Sequence, residues 1–311
     1  MRSPQQIDLQ TVRIVHALAA ERTITGVARV LGLSQPAVSQ HIQRAEARLG
    51  VALVRKNGRY LELTQAGEVV LSSAERILEG VTDIQSGLQT VSGLGAGRLR
   101  LAGFPSASST IVPQLYRRLR AQRAGLAITY TEAEPPDAVE LVRSGRCDLG
   151  IICTYPTEPD RTAWFRQNGL RVAELFVDPF YALLPHGHTL AAAPAVDLID
   201  LSDDQWIAGC EQCREHVVAA CHQSGFTPQI SMETDNFNAV VGFVAAGIGV
   251  SILPRMSLQT LRLPKSVVVT KSEPHTYRTV QFVHREDALG DPVMRLAVSC
   301  LLSVAGLGTP R

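Results

Sequence analysis

The chain has 311 residues, 45% hydrophobic and 19% charged, with a formal net charge of +1. That length exceeds what one small core serves and points to two or more domains, and the composition fits a soluble globular protein. The charge is unevenly spread. Residues 1–65 carry nine Arg or Lys against four Asp or Glu, and the remainder 21 against 25. A basic head on a mildly acidic body suits a nucleic-acid reader fused to another module. The most apolar stretch, Ala239 to Leu253, is too short and too broken by glycine to span a bilayer, so no membrane partner is expected. With no basic-then-apolar leader and six scattered cysteines, a reducing cytoplasm is the expected compartment.

Residues 7–21 place Leu9, Val12, Val15, Ala17, Leu18 and Ala19 on or near one helical face, a helix suited to buttress the pair after it. Residues 23–49 then read as two short helices joined by a tight turn. Ala28 is small enough for a second helix to cross above it, and Gly32 supplies the permissive backbone of the turn. Ser34 is placed to cap the second helix, with Pro36 in its first turn. Val38, Ile42, Ala45 and Leu49 recur along one face. Gln35, Ser39, Gln40, Gln43 and Arg44 lie on the other, as donors and acceptors suited to base edges and phosphates in a major groove. Thr23, heading the first of the two helices, joins this DNA-facing set.

After Gly50, two short strands are expected around Asn57-Gly58. They form a wing whose Arg55, Lys56 and Arg59 would sit beside phosphates and position the protein without reading sequence. Thr64 starts a long helix, although Gly67 occupies the place of a capping-box acid. Val70, Ala74, Ile77, Val81, Ile84, Leu88 and Val91 alternate steps of four and three, a narrow heptad seam that fits a second copy of itself. From Gln65 to Ser92 such a helix measures about 42 Å at about 1.5 Å per residue. Paired in this way, two heads would meet successive major-groove faces of an inverted-repeat operator. Gly93, Gly95 and Gly97 then suggest a flexible joint.

From Arg98 onward, strands alternate with helices, as expected of parallel α/β layering. The expected strands are 99–104, 126–131, 147–153, 180–184, 205–208, 229–233, 250–253, 267–270 and 279–284. The expected helices are 106–120, 137–144, 213–224, 237–246 and 292–304.

Ala28, Gly32, the SQPAVSQHI run at Ser34–Ile42, Glu46, Leu49–Gly50, Arg55, Arg59 and LTQAG at Leu63–Gly67 together resemble the LysR-type transcriptional regulators. Glu233–Pro254 resembles a second, supporting hallmark of that family, and the likeness covers nearly the whole chain. Val54 stands where the family commonly has Phe, which bears on local packing of the wing. The resemblance implies an α/β multidomain protein. It would hold a winged helix-turn-helix over 1–63, a dimerising linker helix over 64–93, and a periplasmic-binding-protein-like effector domain over 97–311. That domain would have two α/β subdomains, one of 97–160 with 271–311 and one of 161–270. It also implies double-stranded DNA, a second copy of the chain in dimers or tetramers, a small-molecule effector in the cleft, and RNA polymerase as partners. It calls for no cofactor or resident metal.

Ligands of such folds sit beyond strand carboxyl ends and at helix N-termini. Ser106, Ser108, Ser109 and Thr110 offer hydroxyls at the first such junction, a seat for a carboxylate or simply a cap. Glu134 and Pro135 end the next strand, and Glu134 would not welcome an anion, which leaves room for a cationic or mixed-charge effector. Cys210 and Cys213 face from the second subdomain, with Asn236 and Phe237 beside them. Cys210, Cys213 and Cys221, with His216 and His222, also allow a redox- or metal-responsive alternative, although a single Cys-x-x-Cys is a weak metal signal. Cys147, Cys153 and Cys300 sit in apolar patterns and read as core. An enzyme tethered to DNA finds little support: there is no Gly-x-Ser-x-Gly elbow, phosphate loop or dinucleotide fingerprint.

Overall fold

A computed structural model describes residues 6–58, 60–91, 97–209 and 211–308. The chain divides into two compact units, Met1–Gly95 and Ala96–Arg311.

The first unit begins with three helices: α1 (Leu9–Glu21), α2 (Ile24–Leu31) and α3 (Gln35–Leu49). Asp8, Thr23 and Ser34 cap them in turn, accepting from Thr11 N–H (2.7 Å), Gly26 N–H (3.1 Å) and Ala37 N–H (3.3 Å). Gly32 takes φ +65° between α2 and α3, a left-handed backbone that a side chain would strain. Val27, Ala28, Val38 and Ile42 close a small core with Ile14 and Leu18 of α1. The wing is the antiparallel pair β1 (Val54–Asn57) and β2 (Tyr60–Leu63), with Asn57 opposite Tyr60. Arg59 lies outside the described residues.

The long helix, α4, runs Gln65–Val91. Thr64 caps it through the Gly67 N–H (3.2 Å) while its own hydroxyl donates to the Ala52 carbonyl (2.6 Å). Gly67 is there for room: a Cβ would stand 2.3 Å from the Leu53 carbonyl oxygen. Val70 and Leu71 pack with Val15, Ala45 and Leu53, and Ala74 is fully buried. Beyond this first stretch the seam emerges, with Ile77, Ile84 and Leu88 exposed. Of the expected joint, Gly93 and Gly95 lie outside the described residues.

The second unit runs β3 (Arg98–Gly103), α5 (Pro105–Ser109), α6 (Ile111–Gln122), β4 (Ala127–Glu132), α7 (Pro135–Arg143), β5 (Leu149–Thr154), α8 (Thr162–Gln167), β6 (Leu170–Pro185) and β7 (Ala195–Asp197). It continues with β8 (Gln205–Ala208), α9 (Glu211–Gln223), β9 (Gln229–Glu233), α10 (Phe237–Ala245), β10 (Ser251–Pro254), α11 (Arg255–Leu258), β11 (Val267–Glu273), β12 (Tyr277–Arg285) and α12 (Pro292–Gly308). The sheet order is β4-β3-β5-β12-β6-β11-β7, with β10 also on β6, and β8–β9 form a separate parallel pair. β3 runs parallel to β4 and β5, whereas β12 lies antiparallel to β5 and β6.

β6 is the strand that makes two layers from one chain. Leu170–Pro179 pairs with β12, while Phe180–Pro185 pairs with β10 and β11. In the first layer α5, α6 and α12 cover one sheet face through Leu115, Leu119, Ala297 and Leu301. α7 and α8 cover the other through Ala138, Val142 and Phe165. In the second layer Trp206, Val217 and Cys221 pack on one side of Ala182 and Leu184, and Val240 and Val244 lie with Leu183 on the other.

Three expectations need correction. The helix expected over 106–120 breaks at Thr110, whose φ/ψ of −118°/−67° ends α5 and starts α6. The strand expected at 180–184 begins ten residues earlier, at Leu170, and α8 precedes it. A subdomain switch at residue 161 falls too early, because Phe165 and Leu170 pack with Ala102, Ala138 and Val283. The chain enters the second layer at Pro179–Phe180 and returns between Glu273 and Tyr277.

Candidate functional site: a reading head and a cleft

The candidate reading face is built on α3. Val38, Ile42 and Ala45 point inward, which leaves Gln35, Pro36, Gln40, Gln43 and Arg44 exposed and Ser39 half-buried. Thr23 and Ser34 serve as helix caps at this end. The Gln35 amide hydrogen-bonds the Thr25 hydroxyl, which ties the start of α3 to α2.

Two carboxylates that were not among the candidate site residues hold this face in place. Asp8 accepts from Thr11 N–H, from Arg48 Nη2 (2.5 Å) and lies 3.0 Å from His41 Nε2. Burial pushes Asp8 up, but the bonds from Arg48, Thr11 and His41 outweigh it and hold the carboxyl well below its usual range. Glu46 Oε1 accepts from the Leu53 and Val54 N–H groups (2.7 and 3.1 Å), fixing the wing to α3. Nothing in helical periodicity marks these roles, although Glu46 stood among the family-like residues.

On the wing, Arg55 and Lys56 are exposed. Arg55 is already engaged. Its Nε and Nη2 lie 3.1 and 2.9 Å from Glu62 Oε2, and Asn57 donates to Glu62 Oε1 at 2.6 Å. Those bonds, from Asn57 first and Arg55 second, hold Glu62 below the usual carboxylate range. The expected row of open cations therefore contains an internal ion pair.

The second site is a cleft lined by Phe104, Ser106, Glu134, Tyr155, Cys213, Phe237 and Arg278, among others. Its centre is Arg278 of β12, 2% exposed. Nε donates to Asp178 Oδ2 (2.9 Å), Nη2 donates to Ser106 Oγ (2.7 Å), and the guanidinium lies 4.9 Å from the Phe104 ring centre. Asp178 Oδ1 accepts from the Met256 N–H at 3.0 Å. Burial pushes Asp178 up, against the pull of Arg278 and that amide. Arg278 joins β12, the crossover in β6 and the start of α5 in one buried knot.

Tyr155 closes the cleft floor. Its ring stacks on His216 at 4.6 Å, and its hydroxyl lies 3.7 Å from Cys213 Sγ. His216, 5% exposed, is pressed between Tyr155 and Phe180, and neither ring nitrogen has a hydrogen-bond partner. Burial first, and Arg278 second, lower its pKa to about 4.

Of the candidate effector residues, Ser106, Glu134, Cys213 and Phe237 meet at the cleft. The others do not. Ser108 Oγ bonds the Tyr130 hydroxyl (2.6 Å), and the Ser109 and Thr110 hydroxyls donate to the Ser106 carbonyl (3.2 and 2.5 Å). The row of open hydroxyls expected there is thus spent inside the fold. Pro135 is buried in the first turn of α7, and Asn236 caps α10 through the Asn238 N–H (3.0 Å). Cys210 lies outside the described residues. Arg278, Asp178, Tyr155 and Asp235 are not marked by the sequence, because they come from strands and turns far apart in the chain.

The cysteine alternative is not favoured. Cys221 is buried in the second layer, and burial pushes its thiol up to about 12, leaving it protonated and inert. Among the described residues, no group of three or more His, Cys, Asp or Glu is placed to hold a metal ion. Cys147, Cys153 and Cys300 are buried, as their apolar settings suggested.

Known proteins agree with this architecture. Residues 9–68 match the bacterial regulatory helix-turn-helix of the lysR family, and residues 92–306 match the LysR substrate binding domain. The chain is similar to the HTH-type transcriptional regulator CbbR of Rhodospirillum rubrum, with 29% identity over 96% of each chain. It is also similar to the transcriptional dual regulator GltC of Bacillus subtilis, with 27% identity over 89% of this chain and 90% of the other. Its fold resembles that of full-length CbnR in complex with its target DNA, with a TM-score of 0.70 and 20% identity, over 96% of this chain and 100% of CbnR. The two matched domains account for nearly the whole chain: the protein belongs to the LysR family and is a DNA-binding transcriptional regulator with an effector-binding domain.

Proposed function

We propose that this regulator reads an inverted-repeat operator as a dimer closed along α4, and that a small molecule entering the Arg278 cleft alters that reading. The observation that carries the dimer is the seam. Ile77, Ile84 and Leu88 recur at seven and four residues and stand 41%, 64% and 65% exposed in the single chain. Apolar residues at that spacing are covered by a second helix in coiled coils. Gln40, Gln43 and Arg44 then face base edges and nearby phosphates, with Ser34, Gln35, Pro36 and Ser39 at the entry of α3 and Thr23 at that of α2. Arg55 and Lys56 meet the backbone at the flank, joined by Arg59. Pairing of dimers into tetramers and contact with RNA polymerase belong to the same reading, and no resident cofactor or enzymatic step enters it.

The test is sedimentation together with gel shifts on operator and unrelated duplex. An Ile84→Asp, Leu88→Asp chain is expected to sediment as a monomer and to lose operator binding at least about a hundredfold, because the two half-sites no longer act together. Gln40→Ala is expected to weaken operator binding by about 1–3 kcal/mol and leave unrelated duplex unchanged. A double-Asp chain that remains dimeric would remove α4 from the assembly.

A further inference from the structure

The cleft holds an imbalance of charge. Its one buried cation, Arg278, is committed to Asp178, Ser106 and the face of Phe104. Glu134 and Asp235 remain, one at each lip: Glu134 ends the β4 side, and Asp235 lies between β9 and α10. Glu134 is half-buried, and among the described residues its carboxylate has no ion-pair or hydrogen-bond partner. Beside these two carboxylates stand the rings of Phe104 and Phe237 and the hydroxyl-bearing Tyr155. An unpaired carboxylate partly removed from water is costly unless a partner arrives.

We infer that the effector is a small organic cation, an amine, amidine or guanidine with an apolar or aromatic body, seated between Glu134 and Asp235 with that body against Phe237. The inference rests on the cleft being the effector site. A carboxylate ligand is opposed twice. It meets two like charges at the lips, and the charge of Arg278, the cation it would have to reach, is already balanced by Asp178. A cation meets two carboxylate acceptors and, in Phe237, a ring that attracts positive charge. The free space within the cleft is about 20 Å³, close to one water, so the ligand enters as the two layers part at the β6 crossover.

The sign of the pH dependence gives a second handle. Burial first and Asp235 second push Glu134 up from the ordinary carboxylate range; Arg278 pulls it back, and Glu132 and Asp137 add to the rise. A cation beside Glu134 favours the ionised form, so binding releases a proton and tightens as pH rises through the Glu134 titration. An anion would take up a proton and tighten as pH falls.

The experiment uses the full chain and four probes: benzylamine, benzamidine, benzoate and benzyl alcohol. Thermal shift and calorimetry are run on wild type, Glu134→Gln, Asp235→Asn and a cleft-filling Cys213→Trp. Benzylamine or benzamidine is expected to raise Tm and to bind more tightly as pH rises through the Glu134 titration. Benzoate and the alcohol are expected to do neither. Either lip variant should weaken the cation at least about tenfold while its own Tm stays close to wild type. Benzoate binding that Cys213→Trp abolishes would overturn the cationic class and leave the cleft as the site. Cation binding untouched by all three variants would overturn the cleft itself, and with it this inference. Silence from both cations would also overturn it, and wild type must respond before a misfolded variant is read.

Discussion

The reading head and the cleft solve opposite electrostatic problems with similar residues. On the head, charge faces outward. Arg55, Lys56 and Arg44 are exposed, and the acids that touch such groups do so from the surface, as Glu62 touches Arg55. In the cleft, charge faces inward: Arg278 and Asp178 are each 2% exposed and held by several partners at once. A surface pair is screened by water and is worth little, whereas a buried pair is strongly coupled to the packing around it. Removing a charge should therefore change binding on the head, and folding where the charge belongs to the buried Arg278–Asp178 pair.

The largest expected effect tests that contrast directly. Arg278→Met leaves Asp178 buried without its cation and strips Ser106 of its donor. The expected cost is about 3–5 kcal/mol of stability in the effector unit, read by chemical denaturation. Arg278→Met with Asp178→Leu should recover much of it, because an apolar pair of similar volume avoids the stranded charge. A single variant as stable as wild type would show that the knot contributes nothing to folding.

A smaller effect comes from His216. Its pKa of about 4 lies below the ordinary 6.5, so the unfolded chain takes up the proton first. The stability His216 lends is whole above about pH 6.5 and is lost as pH falls toward 4, at most roughly 3 kcal/mol. Asp178, Glu134 and Glu158 are raised carboxylates and act in the opposite sense as pH falls. His216→Phe isolates the imidazole: its unfolding free energy should gain on wild type by about 2 kcal/mol between pH 7 and 4.5. Parallel curves would remove His216 from the pH response. The head differs here too. Asp8 is lowered, so its contribution stands above the ordinary carboxylate value of 3.8 and fails only below it.

The two regions also differ in how much of them a reader of the sequence can find. The head was legible because its chemistry is local. Caps, turn glycine and polar face of α2 and α3 fall within about thirty residues, and the helical period assigns them to one surface. The cleft was legible only where a local rule applied, as for Glu134 at a strand end or Phe237 at a helix start. Arg278 and Asp178 are a hundred residues apart and meet because β6 and β12 pair across them. No spacing rule reports that register. The serines failed for a related reason: the break at Thr110 turns Ser109 and Thr110 back on their own carbonyls, and Tyr130 claims Ser108. Gly67 shows the same limit on the head, where a close approach to Leu53 looked like a missing cap.

The smallest expected effect concerns the wing, where two neighbouring cations are set differently. Lys56 is exposed, and among the described residues no carboxylate pairs with it, whereas Arg55 shares Glu62 with Asn57. A phosphate can take Lys56 at once but must compete with Glu62 for Arg55. Lys56→Ala should weaken binding to operator and unrelated duplex alike and lower the magnitude of the salt slope by about 0.9, the loss of one released counterion. Glu62→Gln should do the reverse, tightening both by about threefold and steepening the slope by less than about 0.9, because an exposed pair is already half open to water. Neither variant should change the ratio of operator to unrelated binding, since phosphate contacts carry no sequence. Titrations at several salt concentrations decide the matter. If Glu62→Gln instead binds DNA more weakly, its carboxylate serves to aim Arg55 rather than to restrain it, and the surface pair on the head then works by geometry as the buried pair in the cleft does.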